Sequence, residues 1–199
     1  MNLIRCFIAL ELPSPVQEHL AQIISRLKEE KADIKWVESK NTHLTLKFLG
    51  EISPEQVQSS RKVLLDQNGK HPPIHCRTGQ IGVFPGWNRP QVIWLGLIDG
   101  VQRISDLRLL MENGLAECGF ARDLKKFKPH LTLGRVRSLF NMDKLAVKIK
   151  TVSLEEMEFS FGELTLFKSI LTPNGPIHQS LESIKLPLTD KIFKPGTAV

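Results

Sequence analysis

The tetrapeptide His-Leu-Thr-Leu occurs twice in the chain, at His43–Leu46 and at His130–Leu133. An imidazole has an unperturbed pKa of about 6.5, so one member of a pair can be protonated while the other is neutral near pH 7. Two imidazoles on one cleft can therefore divide the roles of proton donor and proton acceptor. Thr45 and Thr132, two residues after each histidine, supply hydroxyls able to hydrogen-bond the non-bridging oxygens of a phosphate. Cationic groups nearby would stabilise the charge of a pentacoordinate transition state. These residue types make a complete metal-free apparatus for in-line displacement at a phosphodiester. In this composition a given histidine is followed by Leu-Thr-Leu with a probability on the order of 10⁻³, yet two of the six histidines are. The repeat has its origin in duplication, shared function or both.

The elements that carry these residues must hold them rigidly. Residues two apart in a strand share a face. His43 and Thr45 then share one face, while Leu44, Leu46 and Phe48 share the other, which must pack on a core. In the same way His130 and Thr132 oppose Leu131 and Leu133. Strict alternation places Arg135 with the leucines, away from His130. It reaches the site only if Gly134 makes a bulge or the strand ends there.

Around these strands the pattern predicts a buried strand at Leu3–Leu10 and then a helix with Ser14 as N-cap and Pro15 in its first position. Ser53-Pro54-Glu55-Gln56 repeats that helix start. A short strand is expected at Ile34–Val37 and a long one at Ile74–Phe84. The latter is joined through the turn residues of "FPGWNRP" to Gln91–Leu97 as a hairpin. Val101–Cys118 reads as a helix with Ile104, Leu107, Leu110, Met111 and Leu115 inward, and Asn141–Lys150 as a short one. Thr151–Leu171 holds one or two strands with a bend at Gly162, and Ile177–Leu186 a last one after the turn "TPNGP". The fold class is α+β. Residues 1–190 are read as one bilobal domain with a motif strand in each of two similar lobes, and residues 191–199 as a loose tail.

Composition narrows the partners. Hydrophobic residues make up 41% and charged residues 24%, an ordinary globular mix. Arg5 interrupts the apolar N-terminal run, and Glu11 and Pro13 follow it, so neither a secretory signal nor a membrane span is read there and the protein is expected to be cytoplasmic. Cys6, Cys76 and Cys118 form no Cys-x-x-Cys pair, which argues against a zinc site and a disulfide framework. His71 and His75 flank Pro72-Pro73, which forbids the helix their spacing would need for a shared metal. Lys and Arg number 27 against 21 Asp and Glu, a formal charge of +6. That balance suits a polyanion such as RNA. Phe84 and Trp87 flank a turn and are candidates for stacking on bases, whereas Trp94 is assigned to the core. Lys128, with Lys125 and Lys126, forms a basic run just before the second motif and is a candidate for the RNA backbone.

The paired His-x-Thr-Leu motif, with "RCFIALELP", "KWVESKNTHLTLKFLGE", "FKPHLTLGRV" and "LTLFKSILTPNGPIH", resembles the two-histidine (2H) phosphoesterase family in its RNA 2′,3′-cyclic phosphodiesterase branch, historically called 2′-5′ RNA ligase. The resemblance runs to about Leu188. His178 stands where the branch usually has Tyr, and Gln91 where Arg is common. The resemblance implies two pseudo-symmetric lobes of antiparallel sheet with helices outside and an active cleft between them. It implies an RNA 2′,3′-cyclic phosphate end, or a small cyclic nucleotide, as substrate, opened to a 2′-phosphate without a cofactor or metal. It makes His43 the proton donor to the departing 3′ oxygen and His130 the acceptor that activates water, with Thr45 and Thr132 on the phosphate oxygens. Two other readings stay open: the same site run in reverse as a 2′-5′ ligase, and a module that binds RNA without turnover. A monomer is expected, because the sequence shows no oligomerisation stripe.

Overall fold

The computed structural model describes residues 2–173 and 175–187; the tail expected at 191–199 lies outside them. Fourteen segments follow one another: β1 (Ile4–Glu11), α1 (Ser14–Lys28), β2 (Ile34–Trp36), a 3₁₀ turn (Ser39–Asn41), β3 (His43–Ile52), α2 (Pro54–Leu65), β4 (Ile74–Phe84), β5 (Val92–Leu97), α3 (Val101–Glu117), β6 (His130–Val136), α4 (Met142–Thr151), β7 (Glu158–Phe161), β8 (Glu163–Thr172) and β9 (Gly175–Lys185). The α+β class and nearly every predicted element are present, including the break between β7 and β8 at Gly162.

Helix starts follow local chemistry. At α2, Ser53 Oγ accepts from the Gln56 backbone N–H and Gln56 Oε1 accepts from the Ser53 N–H, a reciprocal capping box with Pro54 in the first turn. At α1 the expected cap shifts by one residue. Pro13 is the N-cap and Ser14 is already helical, with no side-chain cap bond. On α3, Ile104, Leu107, Met111 and Leu115 are buried as expected, but Leu110 is exposed and Glu112 is buried in its place. The buried stripe runs through 104, 107, 111 and 115, the i, i+3, i+4 pattern, and Leu110 lies outside it.

The strands form two antiparallel sheets. One has the order β3-β1-β8-β9 and the other β2-β6-β5-β4-β7. Each sheet holds one motif strand, and each draws strands from both ends of the chain. The leucines of both motifs, Leu44, Leu46, Leu131 and Leu133, belong to one continuous core and are 0–2% exposed. Helix α3 packs on β3 of the first sheet and β4 of the second, and α2 packs on β1, β8, β9 and α3. The helices therefore cover the leucine side of the sheets, and the histidine side is left for the cleft.

The seam between the sheets brings the motifs together. The Val37 N–H donates to Leu133 O beside β6, and six residues later β3 begins at His43. Strands β3 and β6 come within 8 Å between Cα atoms.

Both motif strands carry a bulge at the same offset. In β3, Lys47 pairs with Ile8 and Thr45 with Ala9, so Leu46 is the extra residue. In β6, Gly134 pairs with Ile93 and Thr132 with Trp94, so Leu133 is the extra residue. A bulge of one residue reverses the faces beyond it. Phe48 thus departs from its expected place in the core: it is 62% exposed and sits on the histidine side, 6.1 Å from the Phe7 ring. Lys47 points inward, where alternation alone would have kept it outside.

Candidate active site

Each motif histidine is held in the same way. His43 Nδ1 lies 2.8 Å from Asn41 O, and His130 Nδ1 lies 2.6 Å from Lys128 O, in both cases the carbonyl two residues earlier. A carbonyl only accepts, so each Nδ1 carries the proton and donates it. That fixes the tautomer and leaves both Nε2 atoms for exchange with a substrate. Asn41 also donates from its side-chain amide to Pro176 O at 3.2 Å, which ties the turn before His43 to the start of β9.

Aromatic rings wall each imidazole. Phe7 stacks on His43 at 4.6 Å between centroids and on Phe167 at 5.1 Å. His178 meets Phe7 edge-on at 4.9 Å and His43 at 5.3 Å. In the second sheet, Phe84 meets His130 edge-on at 5.0 Å and stacks on Trp94 at 4.9 Å. Trp94, expected in the core, instead faces the cleft from the strand beside His130, 6.2 Å from its ring. Gly82 makes room for it: a Cβ there would fall 2.3 Å from the indole. Lys128 Nζ stands 5.9 Å from the Phe84 centroid, so the last lysine of the basic run lies at this wall. Trp87 is 41% exposed on the β4–β5 turn, and no aromatic contact joins it to either histidine among the described residues.

The bulge in β6 answers the question about Arg135. Past Leu133 the faces reverse, and Arg135 pairs with Val92, on the side that carries Trp94 and His130. Thr45 and Thr132 lie on the histidine faces, half-buried, and among the described residues neither hydroxyl has a hydrogen-bond partner.

The electrostatics favour neutral imidazoles in the free protein. Burial, with a smaller contribution from the neighbouring His178, lowers His43 to about 4 against the opposing pull of the Asn41 carbonyl. Burial also lowers His130; the Lys128 carbonyl opposes this and the Arg135 charge adds to it. His178 is lowered by burial as well, and its Nδ1 is buried without a partner among the described residues.

The other histidines singled out in the sequence lie elsewhere. His71 Nε2 is 3.0 Å from Gln67 Oε1, and His75 Nδ1 is 2.6 Å from Ser160 Oγ. Cys6 and Cys76 are buried, which raises their thiols to about 11 and about 12; Cys118 is exposed. No helix among the described residues is long and apolar enough to cross a membrane.

Sequence reading missed Phe7 and Phe167 as ring partners of His43. Both sit in apolar strands, and only the register Phe7↔Phe48 and Phe7↔Phe167 shows which side they take.

Comparison with known proteins places this geometry. The sequence profile described as LigT-like phosphoesterase matches residues 10–94 and 98–178, two stretches that each contain one motif. The RNA 2′,3′-cyclic phosphodiesterase of Methanothermobacter thermautotrophicus is 33% identical over 184 residues, 92% of this chain and 99% of that protein. The RNA 2′,3′-cyclic phosphodiesterase of Methanocaldococcus jannaschii is 34% identical over 179 residues, 89% and 98% of the two chains. A crystal structure of a Thermus thermophilus protein superposes with a TM-score of 0.76 at 24% identity, over 92% of this chain and 98% of that one.

Proposed function

The chain belongs to the LigT-like phosphoesterase family, and from that premise we propose that it opens the 2′,3′-cyclic phosphate at an RNA end to a 2′-phosphate, with His43 and His130 as its acid and base. The substrate class follows relatives that share almost the whole chain. The observation that supports the mechanism is the matched pair of Nδ1 contacts, to Asn41 O and Lys128 O, which leave two Nε2 atoms free on motif strands that come within 8 Å between Cα atoms.

In the proposed reaction His130 takes a proton from water through Nε2. The water oxygen forms a bond to phosphorus in line with the P–O3′ bond, which breaks. His43, protonated at Nε2, gives its proton to the departing O3′. The products are a 2′-phosphate and a free 3′-hydroxyl, and His43 leaves the cycle neutral while His130 leaves it protonated. One proton exchange with solvent resets the pair. Thr45 and Thr132 donate to the non-bridging oxygens, and Arg135 offsets their growing charge. A bound phosphate anion favours the imidazolium, so substrate itself raises the depressed His43 towards the form the acid role needs. Phe84, Trp94 and Lys128 line the His130 side, where rings stack on a base and the ammonium meets the backbone. Trp87, on the exposed turn, is assigned to RNA beyond the terminal nucleotide.

One assay by mass decides the reading. An oligoribonucleotide ending in a 2′,3′-cyclic phosphate is incubated with the protein, alone and with a 5′-hydroxyl oligonucleotide. Gain of one water with a 2′-phosphate end is the expected result. A joined product as the main species shows that the site runs chiefly as a ligase. An unchanged substrate under both conditions overturns the proposal.

A further inference from the structure

We propose that Lys47 is a positioning residue that couples the two motif strands, reaching from the bulge of β3 to the segment that delivers His130. The inference rests on the acid and base roles proposed above.

Lys47 follows Thr45 by two residues, and unbroken alternation would have aimed it into the cleft. The bulge at Leu46 turns it inward, where its side chain is 4% exposed. A buried ammonium is costly unless its donors are met. Here its donors find Glu112 Oε1 at 2.8 Å, Ala121 O at 2.7 Å and Asp123 Oδ1 at 3.3 Å. Glu112, 5% exposed on α3, accepts in addition from the Asp123 N–H at 2.7 Å. Arg108, one turn before Glu112, closes the cluster. Its Nε donates to Leu46 O, the bulge residue, at 3.2 Å. Its Nη2 lies 3.2 Å from Asp123 Oδ2 and 3.4 Å from Glu112 Oε2, and its guanidinium covers the Phe127 ring at 4.8 Å.

The contacts to Ala121, Asp123 and Phe127 fall on residues 121–127, a stretch with no helix or strand of its own. That stretch ends at Lys128, whose carbonyl fixes His130 Nδ1, and at the start of β6. The ion cluster is therefore the anchor of an otherwise irregular approach to the second motif, and it is driven from the first. The effect is one-sided. His43 takes its tautomer from Asn41 O in the 3₁₀ turn, which none of these contacts reaches. Loosening the anchor frees the partner of His130 and leaves that of His43 in place.

The test is imidazole NMR on the free protein across pH, set beside kcat and KM on a cyclic-phosphate-ended oligonucleotide. The variant is Lys47→Met with Glu112→Leu, which removes both buried charges together, because either change alone strands the other charge. Expected are a loss of the single Nδ1–H tautomer of His130, a shift of its pKa, an unaltered His43, and a tenfold to hundredfold fall in kcat with a smaller change in KM. A merely structural clamp lowers the melting temperature and moves neither imidazole. His130 keeping its tautomer and pKa, or both histidines shifting alike, overturns the proposal. Asp123→Ala removes an anchor that is 45% exposed. It keeps the test open should the double variant fail to fold: the same selective shift of His130 is expected, and none overturns the proposal. If the parent protein does not hydrolyse the oligonucleotide, the functional reading falls, while the NMR comparison still decides what Lys47 does.

Discussion

Phe48 and Arg135 are structural counterparts: each stands five residues beyond its motif histidine, and each is turned onto the histidine side by the same one-residue bulge. One sheet thereby places an apolar ring at that point and the other a cation. In the proposed reaction, a phosphate between the histidines would meet unlike walls on its two sides, and that asymmetry would let the near-identical motifs take different roles.

Arg135→Ala is expected to lower kcat/KM by about tenfold to a hundredfold, the range for losing a hydrogen bond to a charged group. Steady-state kinetics on the cyclic-phosphate oligonucleotide measure it, and an unchanged kcat/KM removes Arg135 from the site.

The bulge itself can be tested at Gly134. A Cβ there would fall 2.6 Å from Ile34 Cγ2 and 3.0 Å from the Trp36 ring, against the short edge strand β2. Gly134→Ala is expected to cost about 1–3 kcal/mol of stability through overpacking and to reduce activity with it. Chemical denaturation gives the first and kinetics the second. Wild-type values in both would show that the strand accepts a side chain at this point.

The pH dependence follows from the two depressed imidazoles. Free enzyme needs His43 protonated and His130 neutral. The charged form of His43 becomes scarce above about pH 4, and the neutral form of His130 becomes scarce below its own pKa, which burial lowers from the ordinary value. A plot of log kcat/KM should therefore be bell-shaped, with its maximum on the acid side of an ordinary imidazole's pKa of about 6.5. The kcat profile should lie at higher pH, because bound phosphate raises both groups. A kcat/KM optimum above pH 7.5 would contradict the burial of these rings.

His178 supplies a separate handle. Burial is the larger cause of the low His43 value and His178 the next. His178→Phe keeps a ring against Phe7 and removes the like charge, so His43 should titrate higher than in the parent yet still below an ordinary histidine. Imidazole NMR reads the shift directly; a lower or unchanged value would rule out the His178 contribution.

Folding stability carries the same signature. His43 has a folded pKa of about 4 against about 6.5 unfolded. Above pH 6.5 neither state is protonated and its full contribution is present. As pH falls from 6.5 towards 4 the unfolded chain takes up the proton first, and about 3 kcal/mol of stability is lost. His43→Asn should flatten that part of the stability curve. Urea unfolding at pH 7 and pH 4.5 compares the two proteins, and equal slopes would refute the linkage.

Much of this site could be read in the residues. The period of two placed His43 with Thr45 and His130 with Thr132, and their leucines did enter the core. What the period could not show was its own interruption. Leu46 and Leu133 look like regular members of an alternating run, yet each is the additional residue opposite a partner strand distant in sequence. Phe48 and Lys47 consequently appear on each other's expected sides. Trp94 was misplaced for a related reason: an apolar strand reads as buried on both faces, and only the missing Cβ of Gly82 across the sheet reveals space for an indole on the cleft side. The cap at Ser14 slipped because Pro13 also satisfies a helix entrance, and a serine beside a proline does not say which of them ends the extended chain.

The way the sheets share strands has a consequence for synthesis. Strand β1 needs β8, which lies more than 150 residues later, and among the described residues the edge strand β2 has β6 as its only partner. Neither layer can close while its late strands are still inside the ribosome. The nascent chain must carry β1 and β3 with an open edge until the β8–β9 hairpin emerges, so the sheet that holds His130 can be complete before the one that holds His43.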